Sequence, residues 1–355
     1  MALYKYEHGG DVYSRTEDET NIEYIDFSAN INPLGLPTGV KKAIKQAVQQ
    51  CTQYPDPFCR ALTAATADFL KMPEEFLFFG NGAADVIFRL ALTLKPCKAL
   101  LLAPTFSDYE KALATVGCAI KYYYLQEEYA FEPQSNILGA ITEDIDLVVI
   151  CNPNNPTGKT IKRPLLEEIL KKCVQKNARL LVDECFMDFV SKHKAYSLSN
   201  LAVKYPALII LKAFTKTFAM PGVRLGYCIC SDLDMLKNLH EHGQDWSVSV
   251  LAQEAGIAAL KEHDYLAKAY SLVEKERKYL TKQLNQLGAK LYDSEANYIF
   301  FYMDQPEDLK NKLRERGYLI RSCDNYRGLG SGYYRIAIKT RALNRKIIKA
   351  IKEAR

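Results

Sequence analysis

The feature that most constrains the fold is a repeated alternation between short apolar runs of strand length and longer stretches with helical periodicity. Helical stretches occur at Ala84–Leu94, Ser107–Val116 and Arg163–Gln175. The strand-length runs are Ala99–Leu102, Ile120–Leu125, Leu147–Cys151, Leu180–Val182, Leu208–Leu211 and Gly226–Cys230. Most of these runs are apolar on both faces, as in a parallel sheet that helices cover on both sides. The alternation therefore predicts an α/β fold with a mainly parallel central sheet.

The pattern changes near residue 243, which predicts a second, smaller α+β domain. A long helical stretch at Ser247–Leu284 is followed by strand-like Tyr298–Tyr302 and Tyr333–Ile338 and by helical stretches at Pro306–Arg316 and Arg341–Lys352. The first forty residues are rich in turn formers. We predict an N-terminal segment that packs with the small domain, a large domain and a small domain, at residues 1–40, 41–243 and 244–355.

Composition argues against several classes of protein. The net charge of the 355 residues is +5 and the charges are scattered, so nucleic-acid binding is not indicated. The ten cysteines form no C-x-x-C pair, which favours free thiols in a reducing cytoplasm over disulfides or a metal site. The N-terminus has no apolar signal core, and no apolar run is long enough to span a membrane. We therefore expect a cytoplasmic protein without membrane contact.

The most informative residue is Lys216, in the string AFTKTFAMPGVRLGY. It follows the apolar run Leu208–Leu211, and a Pro221–Gly222 turn separates it from Arg224. A lysine that forms a Schiff base must be neutral part of the time, which burial and a nearby cation favour. An arginine after such a turn can bind a phosphate through two hydrogen bonds. A lone lysine would more often be a surface charge, but the whole string favours cofactor binding.

Two polar side chains follow buried strands directly. Asp183 in LLVDECF comes at the carboxyl end of a strand, where open α/β sheets bind ligands. A buried carboxylate there needs a partner such as a protonated pyridine nitrogen, although a helix N-cap is the simpler alternative. Asn155 in CNPNNPTG can donate its amide to a phenolic oxygen, although this string alone is more often an ordinary turn.

A glycine turn precedes a helix in FFGNGAADVIF. The backbone N–H groups of Gly82, Ala83 and Ala84 would face a phosphate at the helix N-terminus. The string also resembles a dinucleotide fingerprint, and Gly80 and Gly82 fit it. Asp85 occupies the third glycine position, however, so a nicotinamide cofactor is disfavoured.

Together these strings resemble the fold-type I, aspartate-aminotransferase-like family of pyridoxal-phosphate (PLP) enzymes. NPNNPTG, the aspartate of VDE and T-K-x-x-x-x-P-G-x-R-x-G-Y occur in family order. The resemblance implies PLP as cofactor, joined to Lys216 as a Schiff base, with Asp183 on the pyridine nitrogen and Asn155 on the phenolic oxygen. It also implies that the cofactor phosphate is held by Gly82, Ala83, Thr215 and Arg224.

The same resemblance implies a homodimer with shared active sites. Tyr54 in QYPDP matches the family tyrosine that reaches the cofactor phosphate of the neighbouring subunit. Arg335 in YYRIAIKT matches the arginine that binds the substrate α-carboxylate, and Asn32 is a further candidate for that group. Either Phe106 or Tyr109 of PTFSDY would stack on the cofactor ring, and the sequence leaves that choice open.

The terminal strings narrow the resemblance further. HGGDVY, IDFSANINPLGLP and IRSCDNYRGLGSGYYRIAIKT are similar to threonine-phosphate decarboxylases of cobamide biosynthesis, whose near relatives are histidinol-phosphate aminotransferases. This implies decarboxylation of L-threonine O-3-phosphate to (R)-1-aminopropan-2-yl phosphate. Decarboxylation of L-serine O-phosphate to ethanolamine phosphate and histidinol-phosphate transamination remain alternatives. Arg321 is the candidate for the substrate phosphate, with contributions from His8 and Arg327.

Two positions depart from the family pattern. Phe186 stands three residues after Asp183, where many aminotransferases have a tyrosine that hydrogen-bonds the phenolic oxygen. The absence of this tyrosine disfavours ordinary transamination. Ala213 stands three residues before Lys216, where a serine or threonine often binds phosphate. Phosphate binding should therefore depend more on Arg224, on Thr215 and on backbone donors.

Overall fold

The computed structural model describes residues 8–14, 22–191, 195–304 and 308–354. The helices in these ranges are α1 (Thr38–Ala47), α2 (Arg60–Leu70), α3 (Ala83–Leu94), α4 (Asp108–Ala114), α5 (Arg163–Gln175), α6 (Phe214–Thr217), α7 (Leu233–Glu241), α8 (Val250–Leu260), α9 (Tyr265–Gln286), α10 (Leu309–Glu315) and α11 (Arg341–Ala354). The strands are β1 (Ile25–Asp26), β2 (Leu77–Gly80), β3 (Lys98–Ala103), β4 (Ala119–Tyr124), β5 (Leu147–Cys151), β6 (Arg179–Asp183), β7 (Leu208–Ala213), β8 (Gly226–Ile229), β9 (Lys290–Leu291), β10 (Tyr298–Tyr302), β11 (Tyr318–Leu319), β12 (Arg321–Ser322) and β13 (Tyr333–Ala337).

A seven-stranded sheet in the order β2-β8-β7-β6-β5-β3-β4 forms the centre of the described chain. Strands β4, β3, β5, β6 and β7 run parallel to one another, whereas β8 runs antiparallel to β7 and β2. The predicted mainly parallel sheet is therefore confirmed. Cys151 is the register partner of Asp183, so both strands end at one edge of the sheet. This is the edge at which open α/β sheets bind ligands.

Hydrophobic cores cover both faces of this sheet. Leu100 and Leu180 contribute to one core, while their neighbours Leu101 and Leu181 contribute to the other. Successive side chains of a strand point to opposite faces, so each strand supplies both cores. Truncating a core leucine of this kind to alanine costs about 2–5 kcal/mol. Burial on both faces explains why the strand sequences are apolar without alternation.

The small domain has a separate core around a four-stranded sheet in the order β12-β13-β10-β9. The predicted helical stretch Ser247–Leu284 is divided into α8 and α9 by a turn after Leu260. Helix α8 packs on α1 and α2, and its Ala252 and Ala255 belong to a large-domain core, whereas Ala269 in α9 belongs to the small-domain core. The division after residue 243 remains a prediction, and this packing favours a boundary inside α9.

Two further points concern the predicted helices. The predicted start at Pro306 lies outside the described residues, and α10 begins at Leu309. In the ranges that the structure describes, no helix combines the length and the apolar character needed to cross a membrane.

The N-terminal segment contacts both domains. Strand β1 pairs in parallel with β11, and Phe27 lies in the small-domain core. The backbone N–H of Asn32 donates to the carbonyl of Lys216 at 3.3 Å. The segment therefore connects the small domain to the turn that carries the candidate catalytic lysine.

Candidate active site

A cavity of about 340 Å³, here called the inner cavity, opens where strands β5, β6 and β7 end. Lys216 and Asp183 both line it, so the proposed amine and carboxylate face one space. Other predicted residues in its wall are His8, Ala83, Phe106, Asn155, Thr215, Arg224, Arg321 and Arg335. The walls come from the large domain, the N-terminal segment and the small domain, which is the arrangement expected of a site that closes around a ligand.

Lys216 lies on the one-turn helix α6, directly after β7. The side-chain amide of Asn32 donates to the carbonyl of Thr217 at 2.8 Å, and the Thr217 hydroxyl donates to Oδ2 of Asp188 at 2.9 Å. These bonds hold the turn from two sides. Burial, followed by the nearby Arg335 guanidinium, lowers the pKa of Lys216 to about 8. A much larger fraction of this amine is therefore neutral at neutral pH than of an exposed lysine.

Asp183 ends β6 and is only 5% exposed. Its Oδ2 accepts the hydroxyl of Tyr109 at 2.6 Å, and its Oδ1 accepts the backbone N–H of Cys185 at 2.9 Å. Burial nevertheless raises the pKa of Asp183, because these bonds compensate only part of the lost hydration. A cation in the inner cavity, such as a protonated ring nitrogen, would stabilise the carboxylate.

The structure distinguishes the two aromatic candidates for ring stacking. Tyr109 lies on α4, is 1% exposed and uses its hydroxyl for Asp183. Phe106 precedes α4 and lines the inner cavity, so it is the residue placed to contact a bound ring. Its stacking role remains a prediction.

Asn155 and Arg335 contact each other in the cavity wall. The Nη1 of Arg335 donates to Oδ1 of Asn155, which leaves the Asn155 amide nitrogen as the donor for a ligand. The Nη2 of Arg335 donates to the carbonyl of Ser28 at 2.7 Å, while its buried Nε has no partner among the described residues. An unsatisfied buried donor of this kind costs about 1–3 kcal/mol, which an anionic ligand would recover.

Gly82 and Arg224 lie against each other at the N-terminus of α3, beside the inner cavity. Gly82 is the N-cap of α3 and has a φ of +83°. A Cβ at this position would collide with Nη2 of Arg224, so only glycine lets the guanidinium lie against the helix N-terminus. Ala83 and Thr215 line the cavity beside it. Helix N–H groups and a guanidinium together suit a phosphate.

The side chain of Asn32, which is predicted to bind the substrate carboxylate, is held by protein contacts, and its role toward a substrate stays a prediction. Its Nδ2 donates to Thr217, its Oδ1 accepts the backbone N–H of Leu34 at 3.1 Å, and it does not line the inner cavity. Asn30 lies there instead, is 3% exposed, and its Oδ1 has no partner in the described part of the chain. Both residues lie in the same SANIN string, and their spacing of two in an irregular segment could not distinguish them.

The opposite end of the inner cavity carries the candidates for a substrate phosphate. Nη2 of Arg321 donates to Oδ1 of Asn325 at 2.7 Å, and the guanidinium lies 5.1 Å from the ring centroid of Tyr326. Nε2 of His8 lies 3.1 Å from Oδ1 of Asp108. Arg321 and His8 therefore form the polar end of the cavity, while Arg327 does not line it.

Tyr54 lies away from the inner cavity of its own chain. It is 79% exposed and stacks on Trp246 with a centroid distance of 4.5 Å. Phe58 nearby in sequence is 54% exposed. The role of Tyr54 toward a neighbouring subunit stays a prediction.

Several residues of the cavity wall were not expected from the sequence. Tyr326 donates its hydroxyl toward Oδ1 of Asn155 at 3.4 Å and could have been found from its place in the NYRG string beside Arg321. Cys151 and Cys185 lie next to Asp183 in the wall. Buried cysteines resemble ordinary core residues, so the sequence carried no signal for them.

The residues present fit pyridoxal phosphate. One cavity brings together an amine of lowered pKa, a buried carboxylate that needs a cation, and an anion-binding helix terminus with a guanidinium. Among the residues described, no group of histidine, cysteine and acidic side chains is arranged for a metal ion. All ten cysteines are free thiols.

Comparison with known proteins agrees with this geometry. The family model described as aminotransferase class I and II matches residues 22–351. The threonine-phosphate decarboxylase of Salmonella typhimurium is 36% identical over 99% of this chain and 97% of its own length. The adenosylcobalamin biosynthesis bifunctional protein CobDQ of Leptospira interrogans is 29% identical over 97% of this chain and 40% of its own length. The crystal structure of the histidinol-phosphate aminotransferase from Clostridium acetobutylicum matches with a TM-score of 0.86 and 29% identity, over 92% of this chain and 98% of that chain.

Proposed function

This chain belongs to the aminotransferase class I and II family, and on that premise we propose that it is a pyridoxal-phosphate-dependent decarboxylase of L-threonine O-3-phosphate. The product would be (R)-1-aminopropan-2-yl phosphate, a precursor in cobamide biosynthesis. The observation that carries the proposal is the charge distribution of the inner cavity. Arg224 serves a cofactor phosphate, and Arg335 and Arg321 remain for the carboxylate and the phosphate of a doubly anionic substrate.

The large-domain residues would hold the cofactor. Lys216 would bind its aldehyde, Asp183 its ring nitrogen and Asn155 its phenolic oxygen. The ring would contact Phe106, and the phosphate would be bound by Gly82, Ala83, Thr215 and Arg224. When bound, the cofactor accepts the electron pair that is released when a bond to the substrate Cα breaks.

The orientation of the substrate decides which bond breaks, because only the bond perpendicular to the cofactor ring is activated. In this proposal Arg335 binds the carboxylate through its free Nε edge, and Asn30 lies in the same cavity wall. Phe186, which packs edge-on against Tyr298 at a centroid distance of 5.2 Å, offers no hydroxyl to the phenolic oxygen. Asn155 is then the side chain left to fix that oxygen.

We propose that Lys216, or a water molecule, returns a proton to Cα after carbon dioxide leaves. The Lys216 pKa of about 8 lies close to neutral pH, so the amine can both carry and release a proton there. Arg321 and His8 would bind the substrate phosphate at the far end of the cavity. Serine phosphate differs from threonine phosphate by one methyl group, which is worth about 1–3 kcal/mol in a pocket, so both are candidate substrates.

The test is a substrate panel with the purified holoenzyme. Release of carbon dioxide is measured with L-threonine O-3-phosphate and with L-serine O-phosphate, and glutamate formation is measured with histidinol phosphate and 2-oxoglutarate. We expect carbon dioxide from threonine phosphate at the highest kcat/KM. Glutamate formation without carbon dioxide release would assign the chain to the aminotransferases instead, as the similarity to the Clostridium acetobutylicum enzyme would then suggest.

We further propose a homodimer in which Tyr54 of each chain reaches the cofactor phosphate of the other. The exposed aromatic surface of Tyr54, Phe58 and Trp246 supports an interface, because such patches are rare on free surfaces. Light scattering should give twice the chain mass of 40.3 kDa, and Tyr54→Phe should weaken cofactor binding without changing that mass. We place the enzyme in the cytoplasm, where its ten free thiols would stay reduced.

A further inference from the structure

A second cavity of about 570 Å³, here called the outer cavity, adjoins the inner cavity. The two share Phe106, Arg321 and Tyr326 in their walls. The remaining walls come from α4, from Tyr122 in β4 and from the small-domain loop at residues 324–329. These three side chains therefore form the boundary between the two cavities.

The wall of the outer cavity has an excess of positive charge. Its ionisable side chains are the cations Lys111, Arg321 and Arg327 and the carboxylates Glu110 and Asp324. The wall also contains the hydroxyl of Tyr122, whose pKa burial raises to about 12. Guanidinium groups and a neutral hydroxyl donor suit a phosphate group.

Arg327 is oriented for a ligand without being strongly bound to the protein. Its Nη2 lies 2.8 Å from Oε1 of Glu110, and the two side chains are 46% and 42% exposed. Its guanidinium carbon lies 4.3 Å from the ring centroid of Tyr122, which holds the plane of the group. An ion pair this exposed contributes little to stability, so a phosphate dianion can replace Glu110 at small cost.

We propose that the outer cavity is an anion-capture site, in which Arg327 binds the phosphate of a phosphorylated amino acid before Arg321 takes it into the inner cavity. The proposal rests on the proposed function, since it requires a substrate with a phosphate group. Arg327 acts at the encounter and does not touch the reacting atoms. Charges at the rim of a site mainly change the association rate and its salt dependence, so kcat should not depend on Arg327.

Stopped-flow mixing of the holoenzyme with L-threonine O-3-phosphate, followed by the absorbance of the bound cofactor, measures this association rate. Arg327→Ala should lower it about threefold to tenfold at low ionic strength, and the difference should vanish at high salt. Glu110→Gln should raise the rate, because it releases Arg327 for the ligand. Arg345→Ala removes an equal charge from an exposed position on α11 and should have no effect.

If the ion pair of Arg327 with Glu110 only joins the loop to α4 and binds no ligand, Arg327→Ala and Glu110→Gln should give a different result. Both variants would then disturb the same contact, so a lower rate with Glu110→Gln overturns the proposal, as does an Arg327→Ala rate equal to that of Arg345→Ala. If threonine phosphate is not decarboxylated, the proposed function fails, and the site is tested separately by calorimetric titration of inorganic phosphate into the holoenzyme. Arg327→Ala should then weaken phosphate binding about threefold to tenfold, and affinity equal to that of Arg345→Ala would refute the site.

Discussion

The inner and outer cavities are built from different kinds of residue. The inner wall is made by buried side chains at strand ends, and Asp183, Asn155 and Thr215 are 5%, 6% and 5% exposed. The outer wall includes Arg327 and Glu110, which are 46% and 42% exposed and lie on a loop and a helix surface. Buried groups with fixed partners suit bond breaking, because they need no rearrangement at the moment of reaction. Exposed groups with weak partners suit capture and selection. The comparison predicts that substitutions in the wall of the inner cavity change kcat. Substitutions in the wall of the outer cavity should change KM or the association rate of the substrate.

The strongest test of the inner wall is Lys216→Ala. Loss of the amine removes both the attachment to the cofactor and the proton donor, so kcat should fall by about 10³-fold or more. Carbon dioxide release measures activity, and circular dichroism checks the fold. Lys237→Ala, on the exposed side of α7, removes the same charge and should keep full activity. Substantial turnover by Lys216→Ala would remove the amine from the mechanism.

Asp183→Asn should have the next largest effect. The amide keeps the shape and can still accept the Tyr109 hydroxyl, but it cannot hold a proton on a ring nitrogen. We expect a loss of about 10²- to 10³-fold in kcat, the range found when one group that stabilises developing charge is removed. Tyr109→Phe removes only the 2.6 Å hydrogen bond to this carboxylate and should cost about tenfold. Equal losses in the two variants would show that the hydrogen bond, not the charge, is what matters.

Arg321→Met tests the boundary between the two cavities. A hydrogen bond to a charged group contributes about 1.5–3 kcal/mol, so KM should rise by roughly 10- to 100-fold with a smaller change in kcat. The initial rate of carbon dioxide release over a range of substrate concentrations separates the two constants. A loss confined to kcat would place Arg321 with the inner wall and would contradict its assignment to the phosphate.

The pKa of Lys216 predicts how cofactor attachment depends on pH. The pKa is lowered from 10.5 to about 8, so the reactive neutral amine is fully present above pH 8 and is lost as the pH falls below it. The attachment rate of cofactor-free protein should therefore rise about tenfold between pH 7 and pH 9, as followed by absorbance. Arg335→Met should move the midpoint upward, because a nearby cation is removed. A wild-type midpoint near 10.5 would mean that the amine is not buried as described.

Asn30→Leu should have the smallest effect on activity, and it should lower activity without lowering stability. The substitution removes a buried acceptor without a partner, so the free energy of unfolding of the cofactor-free protein should stay equal or rise by about 1 kcal/mol. The kcat/KM for the substrate should fall several-fold in the same variant, because Asn30 lies in the wall of the inner cavity. Asn32→Leu is the matched control, because it breaks two hydrogen bonds and should destabilise the protein. Destabilisation by Asn30→Leu would show that its amide serves the fold.

The parts of the site that follow strands directly could be predicted from the sequence. Lys216, Asp183 and Asn155 each come just after a buried apolar run, and the carboxyl ends of parallel strands meet at one edge. Contacts that depend on the register of an element against the sheet could not be predicted. Tyr109 lies in the first turn of α4, which aims its hydroxyl at Asp183 behind the cavity wall rather than into the cavity. The residue pattern of PTFSDY does not indicate this orientation of the Tyr109 side chain.

The sequence could not distinguish Asn30 from Asn32 and could not place the domain boundary, for related reasons. Both depend on which distant element a residue packs against, and a single sequence does not report distant partners. Helix α8 is buried on most sides, so its sequence lacks the polar face that would mark it as separate from α9. The two helices consequently resemble one long stretch.

The antiparallel pairing of β7 with β8 fixes the positions of both ends of the loop that connects them. Ala213 and Gly226 are register partners, so residues 214–225 leave the sheet and re-enter it at one point. That loop carries both the amine of Lys216 and the guanidinium of Arg224, so under the proposed function it joins the groups that would bind the aldehyde and the phosphate of one cofactor. Inserting or deleting a residue in this loop would change the distance between the two groups, so that both could no longer bind the same ligand. The length of the loop at residues 324–329 is not fixed in this way. Substitutions intended to change the substrate would therefore be made in that loop.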